Sequence, residues 1–106
     1  MNSFILTFDD TTISRREMVE CLDRLDGVVD WLAFLPTAIA ILSPHTTHEL
    51  TSMVNAKRPG IRFIVTVGGA QATDGQLPRM VWDFINRPQP AAGRPHDSRG
   101  ETRLSA

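Results

Sequence analysis

Two adjacent acidic residues, Asp9 and Asp10, directly follow a short apolar run and are the residues best placed to do chemistry. The run spans residues 4–8 and has the composition of a buried strand. Carboxylates at a strand end suit a hard cation such as Mg²⁺, and a water bound to that cation can attack a phosphodiester. Aspartate is also common at strand ends because its side chain favours turns. The sequence therefore leaves two roles open for this pair, a metal or catalytic site and a turn.

Two arginines, Arg15 and Arg16, stand a few residues further along, at the start of a predicted helix. The helix dipole disfavours cations in the first turn, so binding of a phosphate group would account for their position. Ordinary solvated surface is the alternative. The pair is therefore a candidate nucleic-acid-binding site beside the two aspartates.

The apolar runs of the chain predict the elements that position these residues. Four segments favour strands because of their β-branched and aromatic content or their alternation: residues 3–8, 28–34, 37–42 and 61–67. Two capping boxes, Ser14 with Glu17 and Thr46 with Glu49, predict two helix starts. Gly27 predicts the end of the first helix, and Pro78 the start of a third.

This order of elements predicts an α+β fold of the ferredoxin-like βαββαβ type, with an antiparallel four-stranded sheet and an added C-terminal helix. The first helix should bury one stripe, formed by Met18, Cys21, Leu22 and Leu25. We expect two helices on one sheet face and the third helix over part of the other. A second subunit is the usual cover for the remaining surface, which predicts a homodimer built on the uncovered sheet face or on the edge of the fourth strand, with Trp82 contributing.

The chain has 106 residues and 42% hydrophobic residues, which suits a single domain, predicted over residues 1–87. Residues 88–106 are rich in proline, glycine and polar side chains, with Leu104 as their one large apolar residue. Such a segment buries too little surface to offset the entropy of ordering it. The sequence therefore predicts a disordered tail over residues 88–106.

The charge of the chain is unevenly distributed. From Arg87 onwards four arginines face two acidic residues, whereas the rest carries seven basic and ten acidic residues and is therefore at −3. A domain at −3 is a poor sequence-independent binder of nucleic acid, because such binding depends on phosphate neutralisation. The lone cysteine excludes an internal disulfide and fits the cytoplasm. No apolar stretch reaches membrane-spanning length, and we expect no membrane partner and no signal peptide.

Several of these features resemble the SinR-like small proteins, relatives of the CRISPR-adaptation dimer and of VapD-type ribonucleases. They are Asp9 after the first strand, Arg15 and Arg16 at the first helix, the hairpin starting near Trp31, and the ending Leu77-Pro78-x-x-x-Trp82-Asp83-Phe84-Ile85. In the CRISPR-adaptation relatives an aspartate at this position faces its symmetry mate, and in cleaving members the two hold one Mg²⁺. The resemblance assigns that role to Asp9. The Tyr-Asp pair common in those proteins is Phe8-Asp9 here, since the chain has no tyrosine.

Three functions follow as hypotheses. The first is a small homodimeric interaction module of bacterial type, without a cofactor or catalysis and with a protein partner. The alternative is a Mg²⁺-dependent nuclease that uses Asp9 at the dimer axis, with Asp10 assisting. A ligand-sensing domain is the third, and it requires a pocket near residues 68–75.

Overall fold

The computed structural model describes residues 1–68 and 75–86 of the chain. These ranges form seven elements: β1 (Asn2–Phe8), α1 (Arg15–Asp23), β2 (Asp30–Leu35), β3 (Ala38–Ser43), α2 (Thr47–Lys57), β4 (Phe63–Val67) and α3 (Arg79–Asn86). This order confirms the predicted one. The predicted tail, residues 88–106, lies outside the described residues and stays a prediction.

The four strands form one antiparallel sheet in the order β2-β3-β1-β4. Strand β3 lies between β1 and β2, and strand β1 lies between β3 and β4. Each βαβ unit is therefore split by a strand of the other unit, which is the ferredoxin-like arrangement. The α+β fold class predicted from the sequence is confirmed.

Both predicted capping boxes are present. In α1 the Ser14 hydroxyl accepts a hydrogen bond from the Glu17 amide at 3.1 Å, and the Glu17 carboxylate accepts one from the Ser14 amide at 3.2 Å. In α2 the corresponding distances between Thr46 and Glu49 are 3.1 and 2.9 Å. Because each box satisfies N–H groups that the first turn would leave unpaired, both helices begin where the sequence predicted.

The predicted role of Gly27 needs correction. Helix α1 ends at Asp23, with Arg24 as its C-cap, three residues before the glycine. A Cβ at Gly27 would lie 2.7 Å from both His45 Cδ2 and Met53 Cε. Glycine at this position therefore permits the close approach of the His45 and Met53 side chains and does not terminate α1.

The main core lies between the sheet and the helices α1 and α2. Its largest fully buried side chains come from β1, β3 and both helices: Phe4, Leu6, Met18, Leu22, Ile39, Ile41, Leu50 and Val54. The whole predicted stripe of α1 is buried, including Cys21 and Leu25. The two helices thus cover one sheet face, as expected.

Helix α3 covers part of the opposite sheet face. Val81 and Ile85 are buried there against Leu32 and Ala40, and the Ser3 hydroxyl donates a 2.6 Å hydrogen bond to the Ile85 carbonyl. The small residues of β3 leave room for this helix, whereas Ile39 and Ile41 face the main core. The sheet is therefore sandwiched between two helical layers. Within residues 1–68 and 75–86, no helix is long and apolar enough to cross a membrane.

Candidate functional site

The loop after β1 places the Asp9 carboxylate in a turn. Its Oδ1 atom accepts hydrogen bonds from the Thr11 amide at 3.0 Å and from the Thr11 hydroxyl at 2.6 Å. The Asp9 carbonyl accepts further bonds from the amide and the hydroxyl of Thr12, at 3.0 and 2.8 Å. Local bonds of this kind are what make aspartate favourable in turns. The sequence left two roles open for Asp9, a metal or catalytic site and a turn. The hydrogen bonds that Asp9 accepts in the described structure are those of a turn.

The same loop is tied to the beginning of β4. The Asp9 amide donates to the Arg62 carbonyl at 2.8 Å, and the Arg62 amide donates to the Thr12 hydroxyl at 3.1 Å. Thr12 therefore bridges the turn and the neighbouring segment. These bonds hold the backbone of residues 9–12 beside Arg62, so the position of the Asp9 carboxylate is fixed from both sides.

Hydrogen bonding from Thr11 lowers the pKa of Asp9 below its usual value, first through the hydroxyl and then through the amide, and the charge of Arg62 adds to the effect. Two N–H or O–H donors aimed at one carboxylate favour its charged form. Asp9 is therefore an ionised hydrogen-bond acceptor at neutral pH. A general acid at this position would need a raised pKa instead.

We expect Asp9→Asn to reduce the loss of stability on acidification. Since the pKa of Asp9 is lowered in the folded state, its stabilising effect is complete above the unfolded pKa of about 3.9 and disappears as the pH falls through the folded pKa. Asparagine does not titrate, so the variant should lose less stability than the wild type below about pH 5. Urea unfolding at a series of pH values measures the difference.

Asp10→Asn is the matched control for that experiment, because no described residue hydrogen-bonds to the exposed Asp10 carboxylate. Its curve should follow the wild type. A residual acid slope is expected in every variant, since backbone bonds from the two capping boxes also lower the pKa of Glu17 and of Glu49. An Asp9→Asn curve parallel to the wild-type curve would contradict the turn role.

The structure does not bring Asp9 together with the two candidate arginines. Arg16 lies 3.6 Å from Glu20 in an exposed ion pair one helical turn away, and Arg15 contacts no acidic side chain in the described part of the chain. Exposed pairs of this type contribute little to stability. The arginines thus occupy the outer surface of the first turn of α1, while the basic neighbour of Asp9 is Arg62.

Residues 1–68 and 75–86 contain no group of three or more histidine, cysteine, aspartate or glutamate side chains able to hold a metal ion. Mg²⁺ binding through one or two carboxylates and several waters does not require such a group, so the ion shared at a dimer axis stays a hypothesis. Cys21 is buried, and burial raises the pKa of its thiol, which keeps it neutral at pH 7 and unsuited to nucleophilic attack.

In addition to the residues predicted from the sequence, two surfaces are candidates for binding. The first is the outer edge of β4, where Ile64 and Val67 are 60% and 59% exposed. The second is a cavity of about 500 Å³ on the α3 side of the sheet. The apolar run of residues 61–67 predicted the strand, whereas a pocket near residues 68–75 was only what the ligand-sensing hypothesis required.

Comparisons of the chain with protein-family models, with curated proteins and with solved structures each found no match.

Proposed function

We propose that the protein is a small homodimeric interaction module without catalytic activity, in which two copies join along β4. The observation that carries this proposal is the outer edge of β4, which pairs with no strand in the described part of the chain and exposes Ile64 and Val67. Such an edge is a template for pairing with another chain unless charges, proline or a covering element protect it. Residues 63–67 contain neither charge nor proline.

The backbone groups that face outwards can be identified from the hydrogen bonds to β1. The Gly68 amide donates to the Ser3 carbonyl at 2.9 Å, and the Arg62 carbonyl accepts from Asp9. In an antiparallel ladder, alternate residues direct both backbone groups to the same neighbour. The even-numbered residues from 62 to 68 therefore bond to β1, and the backbone groups of Phe63, Val65 and Val67 point to the open edge.

A two-fold axis beside Val65 satisfies all of these outward groups. Val65 then pairs with Val65 of the second copy, and Phe63 pairs with Val67 of the second copy, each pair exchanging two backbone hydrogen bonds. Ile64 lies opposite Thr66 of the second copy, on the sheet face that carries α3 but beside the strands that this helix covers. Since the strand is uncharged, this self-pairing opposes no like charges. The two sheets become one continuous sheet.

This dimer does not bring the two Asp9 residues together. Asp9 neighbours Arg62, which is about 10 Å along the strand from Val65 at ~3.3 Å per residue. The two β1 strands are separated by three strand spacings, which places the Asp9 residues roughly 24 Å apart. One Mg²⁺ needs carboxylate oxygens at about 2.1 Å, so a shared ion is incompatible with this interface. The turn role of Asp9 and the −3 charge of residues 1–86 also support a non-enzymatic function.

A family relationship, a location in the cell and a type of partner are part of the same proposal. A relationship to the SinR-like proteins is supported by the ferredoxin-like order of elements, with Asp9 directly after β1 and Arg15 and Arg16 at the start of α1, although the proposed dimer does not reproduce the facing aspartates of the CRISPR-adaptation relatives. A cytoplasmic location is supported by the single buried, neutral thiol. The partner of the module is proposed to be a protein, since the acidic charge disfavours nucleic acid.

Light scattering of the full chain at micromolar concentration tests the proposal, with twice the chain mass as the expected result. A chain that stays monomeric at millimolar concentration would contradict the dimer. Incubation with RNA and DNA tests the absence of catalysis separately. Mg²⁺-dependent cleavage that is lost in Asp9→Asn, with the fold intact, would establish the nuclease alternative instead.

A further inference from the structure

We propose that the cavity beside α3 is a binding site for a small, uncharged and largely apolar molecule with one or two hydrogen-bonding groups. This site is separate from the β4 edge and independent of the proposed dimer. Its volume of about 500 Å³ falls in the range of small-molecule sites. The hypothesis of a ligand-sensing domain required such a pocket near residues 68–75, and Gly75 is part of its lining.

The walls of the cavity come from the sheet and from the segment that leads into α3. Phe34 and Leu35 contribute from β2, Ile5 contributes from β1, and Leu77 and Trp82 contribute from the segment before α3 and from α3. Two aromatic side chains and several aliphatic ones give a surface that favours apolar contact. Leu35 is 45% exposed although it is a large apolar residue, which marks the open side of the cavity.

The polar groups of the lining set the chemistry of the ligand. The lining contains no charged side chain, and its polar side chains are those of Thr7 and Gln76, while Trp82 also carries an indole N–H. Neither Thr7 nor Gln76 hydrogen-bonds through its side chain to another described residue, so a hydroxyl and an amide are available to a ligand. An ionised ligand would lose its hydration in the cavity and find no counter-charge there. A neutral ligand with a hydroxyl, carbonyl or amide group would replace its lost hydrogen bonds to water with hydrogen bonds to the lining.

The remaining segments of this chain offer little to fill the cavity. Residues 69–74 are Gly, Ala, Gln, Ala, Thr and Asp, none of which has a large apolar side chain. The final twenty residues contain one, Leu104. A leucine side chain is much smaller than about 500 Å³, and apolar cavities of this size favour a larger apolar occupant. We therefore assign the site to an external molecule and test Leu104 directly.

The probe for the test is N-phenyl-1-naphthylamine, a neutral aromatic amine that fluoresces strongly in apolar surroundings. Titration into the full chain should show saturable binding of one probe per chain. Leu35→Lys and Gln76→Lys place a charge on opposite sides of the opening and should each weaken binding by at least about tenfold. Both positions are exposed, so both variants should fold. Met80→Lys is the matched control, because Met80 is also 45% exposed but does not line the cavity.

Three results would overturn the proposal. The first is the absence of saturable binding to the wild type, and the second is an equal loss of affinity in Met80→Lys, which would indicate a non-specific surface effect. The third is a large gain of affinity in the full-length Leu104→Ser variant, which would show that the chain's own tail occupies the cavity. Unchanged affinity in Leu104→Ser, with weaker binding in the two lining variants, supports the proposal.

Discussion

Leu22→Ala should lower the free energy of unfolding by about 2–5 kcal/mol, the usual range for a fully buried leucine. Leu22 is 0% exposed and lies in the middle of the buried stripe of α1, within the main core. Alanine is at least as good a helix former as leucine, so the loss would come from the cavity left in the core and from lost apolar burial. Urea unfolding monitored by circular dichroism measures the effect.

Glu20→Ala is the matched control on the same helix. Glu20 is exposed, and its ion pair with Arg16 is 3.6 Å long with both side chains largely in solvent. Such pairs contribute little, so the variant should stay within about 0.5 kcal/mol of the wild type. A comparably small loss in Leu22→Ala would mean that α1 buries a different face. Equal losses in both variants would show that the effect does not come from core packing, since alanine lowers the helix propensity of neither position.

The sequence predicted the features that depend on local patterns. Capping boxes involve residues three apart, and helix stripes and strand alternation repeat over short distances, so Ser14, Thr46 and Leu22 could be assigned from the chain alone. Ferredoxin-like topology followed because few arrangements accommodate this order of elements.

The features that the sequence did not reveal depend on contacts between distant residues. The Trp31 indole N–H donates to Asp23 at 2.6 Å and links β2 to the end of α1, although nothing local predicts this pair. Gly27 was interpreted as a helix end because its close contact with His45 is visible only in three dimensions. The role of Asp9 was left open for the same reason, since Arg62, which helps to fix its turn, is distant in the chain.

The largest expected effect on assembly is that of Val67→Pro, which should weaken the dimer and raise its dissociation constant. The Gly68 amide faces Ser3, so the Val67 amide faces the open edge. Proline removes this outward donor without removing a hydrogen bond to β1, and edge strands tolerate proline at such positions. Val67 is also 59% exposed, so the substitution removes little packing.

The effect is doubled by symmetry, because each copy loses the donor that pairs with Phe63 of the other copy. Two lost hydrogen bonds at about 0.5–1.5 kcal/mol each would raise the dissociation constant by roughly 5- to 150-fold. Val67→Ala keeps the amide and should remain dimeric, while circular dichroism should show that both variants are folded. A folded Val67→Pro protein with the dissociation constant of the wild type would exclude the β4 edge. The sheet face beside Trp82, where side chains rather than backbone groups would make the contacts, would then be the interface to test.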